Sequence, residues 1–338
     1  MRDFKLGTFP EKKPKSTRPK TRSFGYQILG FGSGGPTFSG ICASGGNSEV
    51  EVGIYKVHVF TGSGTFTVNA TGDDDNDLQY LVVAGGGSGS GAGGGAGGYR
   101  TSVDSSAVTA SAQGYPVVIG AGGTANQSPG TGPHGSNGSA SSALSISSAG
   151  GGLGRSFGPG SGLAGGNGGS GGGGGGSPAT GSGGSGNTPP VSPSQGNPGG
   201  SANHGPPPGG FNNMGGGGGA GASSSTRSIG GAGRDSHTPI FGTGQPYNID
   251  NQPRCPVAPG AATNFFAGGG GGDNQQQAST NSGGGNGGGG DGNSPSPFNN
   301  AFGVTNSGGG GGGEIDAGCR NGNGGSGLVL IAYKTAAA

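Results

Sequence analysis

Uninterrupted runs of glycine restrict the folds open to this chain more than any other feature. Residues 171–176, 215–219 and 308–313 contain no side chain, and 95 of the 338 residues are glycine. Ordering one residue costs about 1–2 kcal/mol, and glycine loses more conformational freedom than any other residue. A glycine run therefore orders only where many interactions offset that cost. Hydrophobic residues are only 27% of the chain, which excludes a conventional apolar core along its whole length.

Extended helices of three residues per turn would supply those interactions when packed side by side. Such a helix has no internal hydrogen bonds, so its N–H and C=O groups can pair with neighbouring helices, and Cα–H···O contacts add to this pairing. Close packing leaves no room for a Cβ, so interior positions would have to be glycine. The densest tracts are 85–98, 150–176, 215–221, 268–272, 283–290 and 308–313. The pattern predicts a back-and-forth stack, with a flexible glycine–serine linker as the alternative.

Strand patterns account for most of the apolar residues. Residues 49–60 alternate, with a change of phase near Gly53 that indicates a bulge or a strand end. The turn at 62–64 and the run 65–68 predict a hairpin with this strand. Further strand candidates are 78–84, 115–119 and 328–333. The last of these speaks against a disordered linker, since a disordered tail has little use for a closing apolar run.

The charge of the chain is unevenly distributed. Residues 1–22 carry eight Lys and Arg against two acidic residues, although the whole chain has a net charge of only +1. We expect this basic arm to tether the protein to a larger assembly, with nucleic-acid binding as the less favoured interpretation. The candidate attachment residues are Lys12, Lys13, Lys15, Arg18, Lys20, Arg22, Tyr26, Ile28 and Leu29.

The sequence contains no strong motif for catalysis or for binding a metal or a cofactor. The three cysteines (Cys42, Cys255 and Cys319) are widely spaced and form neither a disulfide framework nor a metal-ligand pattern. The four carboxylates within 73–77 lack EF-hand spacing and indicate a solvated turn. A G-x-G-x-x-G pattern at 89–94 is expected by chance at this glycine content, and no helix follows it. We expect no cofactor, no metal site and no catalysis, and we expect the strand residue His58 to be packed rather than a base.

The ordered set of motifs resembles a known family. Residues 55–68 (YKVHVFTGSGTFTV), 80–98 (YLVVAGGGSGSGAGGGAGG), 115–123 (YPVVIGAGG) and 324–333 (GGSGLVLIAY) are similar, in this order, to the glycine-rich domain of bacteriophage tail-fibre and adhesin proteins. The resemblance covers roughly residues 55–333 and leaves 1–54 outside. It implies polyglycine II helices stacked into a sandwich whose distal loops bind a host receptor.

The resulting fold prediction is a β-rich N-terminal portion plus a polyglycine II sandwich, with almost no α-helix and little regular secondary structure. The predicted regions are a basic arm at 1–23, a small β-rich attachment and capping region at 24–120, the glycine-rich sandwich with its distal loops at 121–325, and a closing strand and tail at 326–338.

The functional expectation is a phage tail protein that binds a receptor. Its partners would be other tail proteins, through the N-terminal region, and a sugar or outer-membrane protein on the bacterial surface; a homo-oligomer is compatible with this and specific nucleic-acid binding is not expected. It would be made in the host cytoplasm and act outside the cell, on the virion tail. A structural virion protein without receptor recognition is the alternative.

The candidate receptor-binding residues are His204, Phe211, Met214, Phe241, Tyr247, Phe265, Phe266, Phe298 and Phe302. These aromatic residues would otherwise cap the open ends of the stack.

Overall fold

The computed structural model describes much of the chain beyond residue 37. The described ranges are 38–126, 135–156, 163–176, 180–204, 212–224, 228–242, 265–274, 282–292, 301–315 and 321–337. The candidate attachment residues Lys12, Lys13, Lys15, Arg18, Lys20, Arg22, Tyr26, Ile28 and Leu29 therefore lie outside the described residues.

Short strands dominate the regular secondary structure. The strands are β1 (Cys42–Ser44), β2 (Ser48–Val52), β3 (Tyr55–Phe60), β4 (Gly64–Ala70), β5 (Asp77–Val83), β6 (Tyr99–Thr101), β7 (Val108–Thr109), β8 (Gly114–Val117), β9 (Ser141–Ala143), β10 (Ile146–Ser148), β11 (Asn203–His204), β12 (Asn212–Asn213), β13 (Arg234–Asp235), β14 (Phe265–Phe266) and β15 (Leu328–Lys334). One four-residue helix, α1 (Thr238–Phe241), is found within the described ranges. No helix among these residues has the length and apolar character needed to span a bilayer. The prediction of a β-rich fold with almost no helix is confirmed.

The largest sheet is antiparallel and has β15 in its middle. Its order is β2–β3–β15–β5–β6, with β7 also paired to β5. Leu330 lies between Val59 of β3 and Leu81 of β5. Such a strand contacts apolar side chains on both faces, which explains why β15 is a continuous apolar run rather than an alternating one.

The predicted hairpin between 49–60 and 65–68 is wrong. Strand β3 pairs with β2 and β15, whereas β4 pairs with β1 and β8 in a separate three-stranded sheet. The phase change near Gly53 marks the turn between β2 and β3, where Gly53 has φ 59°. Left-handed backbone of this kind favours glycine.

Two apolar cores lie on opposite faces of the large sheet. Alternate residues of β5 divide between them: Tyr80 and Val82 enter the first, and Leu81 and Val83 enter the second. The first core also takes in side chains of β4 and β8 from the three-stranded sheet. The second contains Phe241 of α1. Strand alternation thus gives each face of one sheet its own hydrophobic partner.

The glycine tracts pack against one another through backbone hydrogen bonds with a period of three residues. Segment 93–98 shows the pattern most completely. Its amides donate as follows: Gly93 and Ala96 to the carbonyls of Gly215 and Gly218, Gly94 and Gly97 to those of Gly311 and Gly308, and Gly95 and Gly98 to those of Gly152 and Ala149. Every third amide therefore meets the same neighbouring segment.

The carbonyls of segment 93–98 meet three other segments. They accept hydrogen bonds from residues 84 and 87, from residues 170 and 173, and from Gly270. The segment is thus surrounded by six neighbours, three acting as acceptors and three as donors. A period of three is that of an extended threefold helix. The polyglycine II assignment itself stays a prediction, to be tested by the backbone dihedral angles.

Close approach of the backbones leaves no room for a side chain at most positions of this interior. A Cβ on Gly217 would lie 1.9 Å from the carbonyl oxygen of Gly94, and one on Gly270 would lie 2.0 Å from that of Gly311. The uninterrupted glycine runs 215–219, 268–272 and 308–313 all neighbour segment 93–98 in this way. Segments that also carry Ser and Asn, such as 135–139, have some of these side chains exposed.

Candidate interaction surface at the far end of the glycine stack

The glycine stack has two ends that differ in what they carry. Segment 84–90 leaves β5 and turns at Gly91, which has φ 77°, and segment 93–98 returns to β6. The amide of Ser90 donates to the carbonyl of Ala92 across this turn, at 3.0 Å. We call the end at Gly91 the far end and the end at β5 and β6 the sheet end.

Hydrogen-bond register gives the direction of the other segments. The carbonyl of Ser139 accepts the amide of Gly85, and the carbonyl of Ser136 accepts the amide of Ser88. Segment 135–140 therefore runs from the far end towards the sheet end. Ala149 is bonded by Gly98 and Gly152 by Gly95, so 149–154 runs the opposite way. The chain reverses in this manner along most of the stack.

The same reasoning brings many flanking residues together at the far end. The segments whose described flanks meet there are 127–134, 157–162, 177–179, 205–211, 275–281, 293–300 and 316–320. Two examples are direct. Ser156, beside 157–162, has its Cα 3.1 Å from the position of a Cβ on Gly91. Asp273 donates its amide to the carbonyl of Gly91 at 2.9 Å, and Met214 donates its own to the carbonyl of Asp273.

Side-chain amides complete the backbone pairing where the segments part. The Oδ1 atom of Asn321 accepts the amides of Gly91 at 3.1 Å and Glu314 at 3.0 Å, and its Nδ2 donates to the carbonyl of Asn126 at 2.9 Å. Asn323 accepts the amide of Ala125 in the same way. These groups keep buried amides hydrogen-bonded, which matters because a buried polar group without a partner costs about 1–3 kcal/mol.

Two buried carboxylates lie together at the far end. Oδ2 of Asp273 and Oε1 of Glu314 both accept the amide of Ile315, at 3.0 and 3.2 Å. The side chains belong to residues that are 1% and 3% exposed. Within the described residues, no group of three His, Cys, Asp or Glu side chains is arranged to hold a metal ion.

The candidate receptor residues at the far end have different surroundings. Met214 is fully buried, Phe302 is half-buried beside segment 293–300, and His204 lies in β11 next to segment 205–211. Phe211 and Phe298 lie outside the described residues. A fully buried Met214 packs inside the molecule and presents no surface to a receptor.

The remaining candidates lie at the sheet end or outside the described residues. Phe241 and Phe266 are fully buried in the second core, and Phe265 is half-buried opposite Asp235. Tyr247 lies outside the described residues. Buried aromatic side chains here serve packing, which agrees with the structural alternative considered for them. The sequence grouped these residues with those of the far end, and nothing in it could separate the two sets.

Arg234 and Tyr99 join β13 to the sheet end. The Tyr99 hydroxyl donates to the carbonyl of Asp235 at 2.6 Å, and the Arg234 guanidinium lies 5.2 Å from the centre of the Tyr99 ring. Arg234 also pairs with Asp104 at 2.6 Å. Burial raises the pKa of Tyr99 far above its ordinary value, which keeps the hydroxyl protonated as a donor.

The acidic turn at 73–77 joins the two ends of the described chain. Asp74 accepts the amide of Ser39 at 2.6 Å, and Asp75 pairs with Lys334 of β15 at 2.8 Å. Burial raises the pKa of Asp75, but hydrogen bonds from Lys334 and from the amide of Asp77 outweigh it, and the net shift is downward. This turn therefore ties β15 and the residues before β1 to the sheet end.

Comparison with known families agrees with the glycine-built architecture. The family model for the glycine-rich domain matches residues 60–334, and the chain belongs to this family. No curated protein sequence matches the chain.

Proposed function

We propose that this member of the glycine-rich domain family is a receptor-binding protein of a bacteriophage tail. Its far end would contact a sugar or an outer-membrane protein on the host surface, and its N-terminal region would join other tail proteins. In this proposal the protein acts outside the host cell and catalyses no reaction.

The gathering of many described segment flanks at the far end supports the proposal. A close-packed scaffold that presents many connecting segments at one end is the arrangement used when variable loops recognise a partner. The order of motifs along 55–333, which resembles phage tail adhesins, supports the phage assignment.

A structural virion protein without receptor recognition is the second candidate. It is favoured by the burial of Met214, Phe241 and Phe266, because three candidate contacts are used for packing instead. Under this alternative the stack would act as a spacer or connector and its far end would have no ligand.

Binding to cells tests the proposal. Fluorescently labelled protein would be mixed with a panel of bacterial strains and bound protein measured by flow cytometry. We expect saturable binding to particular strains, lost when 205–211 and 293–300 are replaced by glycine–serine linkers of equal length. The ends of the first replaced segment are held together by the pairing of β11 with β12, in which Asn203 faces Asn213.

The matched control is Val103→Ser, an exposed sheet-end substitution that should leave binding unchanged. Equal binding by the folded loop variant and the unaltered protein would contradict receptor binding at the far end. If the unaltered protein binds no strain but is present in purified phage particles, the structural alternative is favoured.

A further inference from the structure

Strand β2 forms one edge of the large sheet, and its outer side pairs with no strand among the described residues. Its register with β3 places Val52 opposite Tyr55 around a two-residue turn at 53–54. In such a hairpin the residues next to the turn form a hydrogen-bonded pair, and hydrogen-bonded pairs then alternate with non-hydrogen-bonded ones. The amides and carbonyls of Glu49 and Glu51 therefore face away from β3.

The other side of β3 has the matching hydrogen-bond phase. The carbonyl of Ile54 accepts the amide of Thr335, which follows β15, at 2.8 Å. Even-numbered residues of β3 thus bond to β15, and odd-numbered residues bond to β2. No described residue donates to or accepts from the outward backbone groups of Glu49 and Glu51.

The opposite edge of the same sheet is covered. In β6 the amide of Tyr99 donates to the carbonyl of Gln195 at 2.8 Å, and Tyr99 and Thr101 are almost completely buried. The large sheet therefore has its open edge, within the described residues, at β2.

The side chains of β2 form one acidic face and one apolar face, because successive residues of a strand point to opposite sides. Glu49 and Glu51 are exposed on the first face. Val50 and Val52 are half-buried on the second, where they pack against the second core. A strand added at this edge would gain backbone hydrogen bonds and cover the two valines further.

Strand β3 shows which side chains suit a neighbour of β2. Lys56 stands opposite Glu51, and His58 stands opposite Glu49. Lys56 also forms an ion pair with Glu49, and Val57 stands opposite Val50. The inner partner of β2 thus alternates basic residues with valine.

A second copy of the chain does not suit the outer edge. Antiparallel pairing of two β2 strands would place glutamates of the two copies directly opposite one another, and like charges in that position destabilise a sheet. Charged side chains on a short edge strand are a common protection against self-association. The edge therefore selects a partner of opposite charge.

We propose that the outer edge of β2 binds an extended segment of another protein in which Lys or Arg residues alternate with apolar residues. The segment adds a strand antiparallel to β2, with its basic side chains opposite Glu49 and Glu51 and an apolar side chain opposite Val50. In this mode of recognition the backbone hydrogen bonds supply affinity and the alternate side chains supply specificity. Binding at this edge is independent of receptor binding at the far end.

NMR spectroscopy of the isotope-labelled protein tests the pairing with a synthetic peptide, Val-Lys-Val-Lys-Thr, extended by Gly-Ser at each end. We expect saturable shifts of the Glu49 and Glu51 amide resonances and slower exchange of these two amides with solvent. Absence of both effects would overturn the proposal.

Two N-methylated peptides test the backbone pairing without altering the protein. The lysines lie opposite the outward-facing residues of β2, so their amides donate to β2 while the valine amides face away. Methylation of both lysine amides should abolish binding, and methylation of both valine amides, the matched control, should preserve it. Equal binding by the two methylated peptides would contradict strand addition.

Charge reversal tests the register. Glu51→Lys should weaken binding of the unmodified peptide about fivefold to tenfold, and a peptide with Glu in place of its first Lys should restore it. Asp73→Lys, at an exposed position of the acidic turn, makes the same change in net charge and should leave the affinity unchanged. Equal weakening by both variants would reduce the interaction to non-specific charge attraction and refute the register.

Sedimentation without peptide tests the choice of occupant. We expect a protein whose Glu49 and Glu51 amides exchange rapidly until peptide is added. A dimer in which these two amides are already protected would assign the edge to a second copy and overturn the proposal.

Discussion

At the scale of single residues, the interior of the stack depends on hydrogen atoms where other proteins have side chains. At most interior glycines a backbone carbonyl of a neighbouring segment lies within about 2 Å of where the Cβ would be, as at Gly94, Gly217 and Gly270. The facing atoms are backbone, so no rotamer change can relieve a clash. Glycine is here a packing requirement, and its conformational freedom is secondary.

Replacement of an interior glycine by alanine should therefore destabilise the protein strongly. For Gly217→Ala, whose Cβ meets a backbone oxygen at 1.9 Å, we expect a loss of at least about 1–3 kcal/mol in the free energy of unfolding. The matched control is Gly283→Ala, in another glycine run with nothing within 4 Å of the added Cβ. It should be neutral or stabilising by up to about 1 kcal/mol.

Urea unfolding followed by tyrosine fluorescence would measure both variants, since the chain has seven tyrosines and no tryptophan. Equal stabilities for the two would show that the stack tolerates side chains and that its proposed interior packing is wrong.

His58 is a second residue whose environment has a measurable consequence. It is fully buried; Nδ1 donates to the carbonyl of Gly45 at 2.7 Å and Nε2 accepts from the Tyr333 hydroxyl at 3.3 Å. Burial lowers the pKa of His58, opposed by the Gly45 carbonyl and by Glu49, whereas Lys56 lowers it further. The neutral ring is thus the form that the folded protein accommodates.

Stability should consequently decrease as the pH falls below about 6.5, the ordinary pKa of histidine. In that range the unfolded chain binds a proton that the folded protein resists, so the contribution is fully present above pH 6.5 and is lost below it. His58→Gln should reduce the difference in urea midpoint between pH 7.5 and pH 5.5. An undiminished difference in this variant would assign the pH dependence to other groups.

At the scale of elements, β15 lies near the C-terminus of the chain and fills the middle of the large sheet. Its neighbours β5 and β3 lie about 250 and about 270 residues earlier in the chain, and its side chains enter both cores. The predicted hairpin between β3 and β4 failed for the same reason. The turn signal at 62–64 was genuine, but both edges of β3 were better filled by β2 and β15, and local turn signals do not reveal such a distant partner.

Shortening one side chain of β15 should therefore destabilise the whole described unit. Leu330 is fully buried in the second core, and Leu330→Ala should cost about 2–5 kcal/mol. Val103→Ala, at an exposed position, serves as the control and should change stability by less than about 0.5 kcal/mol. Urea denaturation measures both; a small effect at Leu330 would mean that β15 is not the central strand of a cooperative sheet.

At the scale of the whole molecule, the stack and the sheets share hydrogen-bonded segments. Segment 84–90 continues directly from β5, and segment 93–98 continues directly into β6. The amides of both segments are bonded at 2.7–3.1 Å, nearly all of them to other segments of the stack. We infer that neither part can open without exposing the backbone of the other.

Amide hydrogen exchange tests this inference. The described glycine amides of 93–98, 215–218 and 268–272 should exchange as slowly as those of β5 and β15, because opening a surrounded segment requires loss of its neighbours. Rapid exchange throughout 150–325, with protection confined to the strands, would contradict the stack and favour a flexible linker. Backbone dihedral angles near about −75° and +145° in the same tracts would establish the polyglycine II helix.

The amino-acid sequence alone required an interior built from backbone. Runs such as 215–219 and 308–313 carry no side chain to bury, so only laterally paired amides can order them, and the continuous apolar run of β15 required burial on both faces. Tertiary structure alone decided which tracts are neighbours and which end each reversal faces. Met214, Phe241 and Phe266 look alike in the sequence, as apolar residues in polar loops, yet all three are buried and they lie at different ends. The reason is that glycine tracts are chemically identical to one another, so their pairing is set by the register and direction of the whole stack.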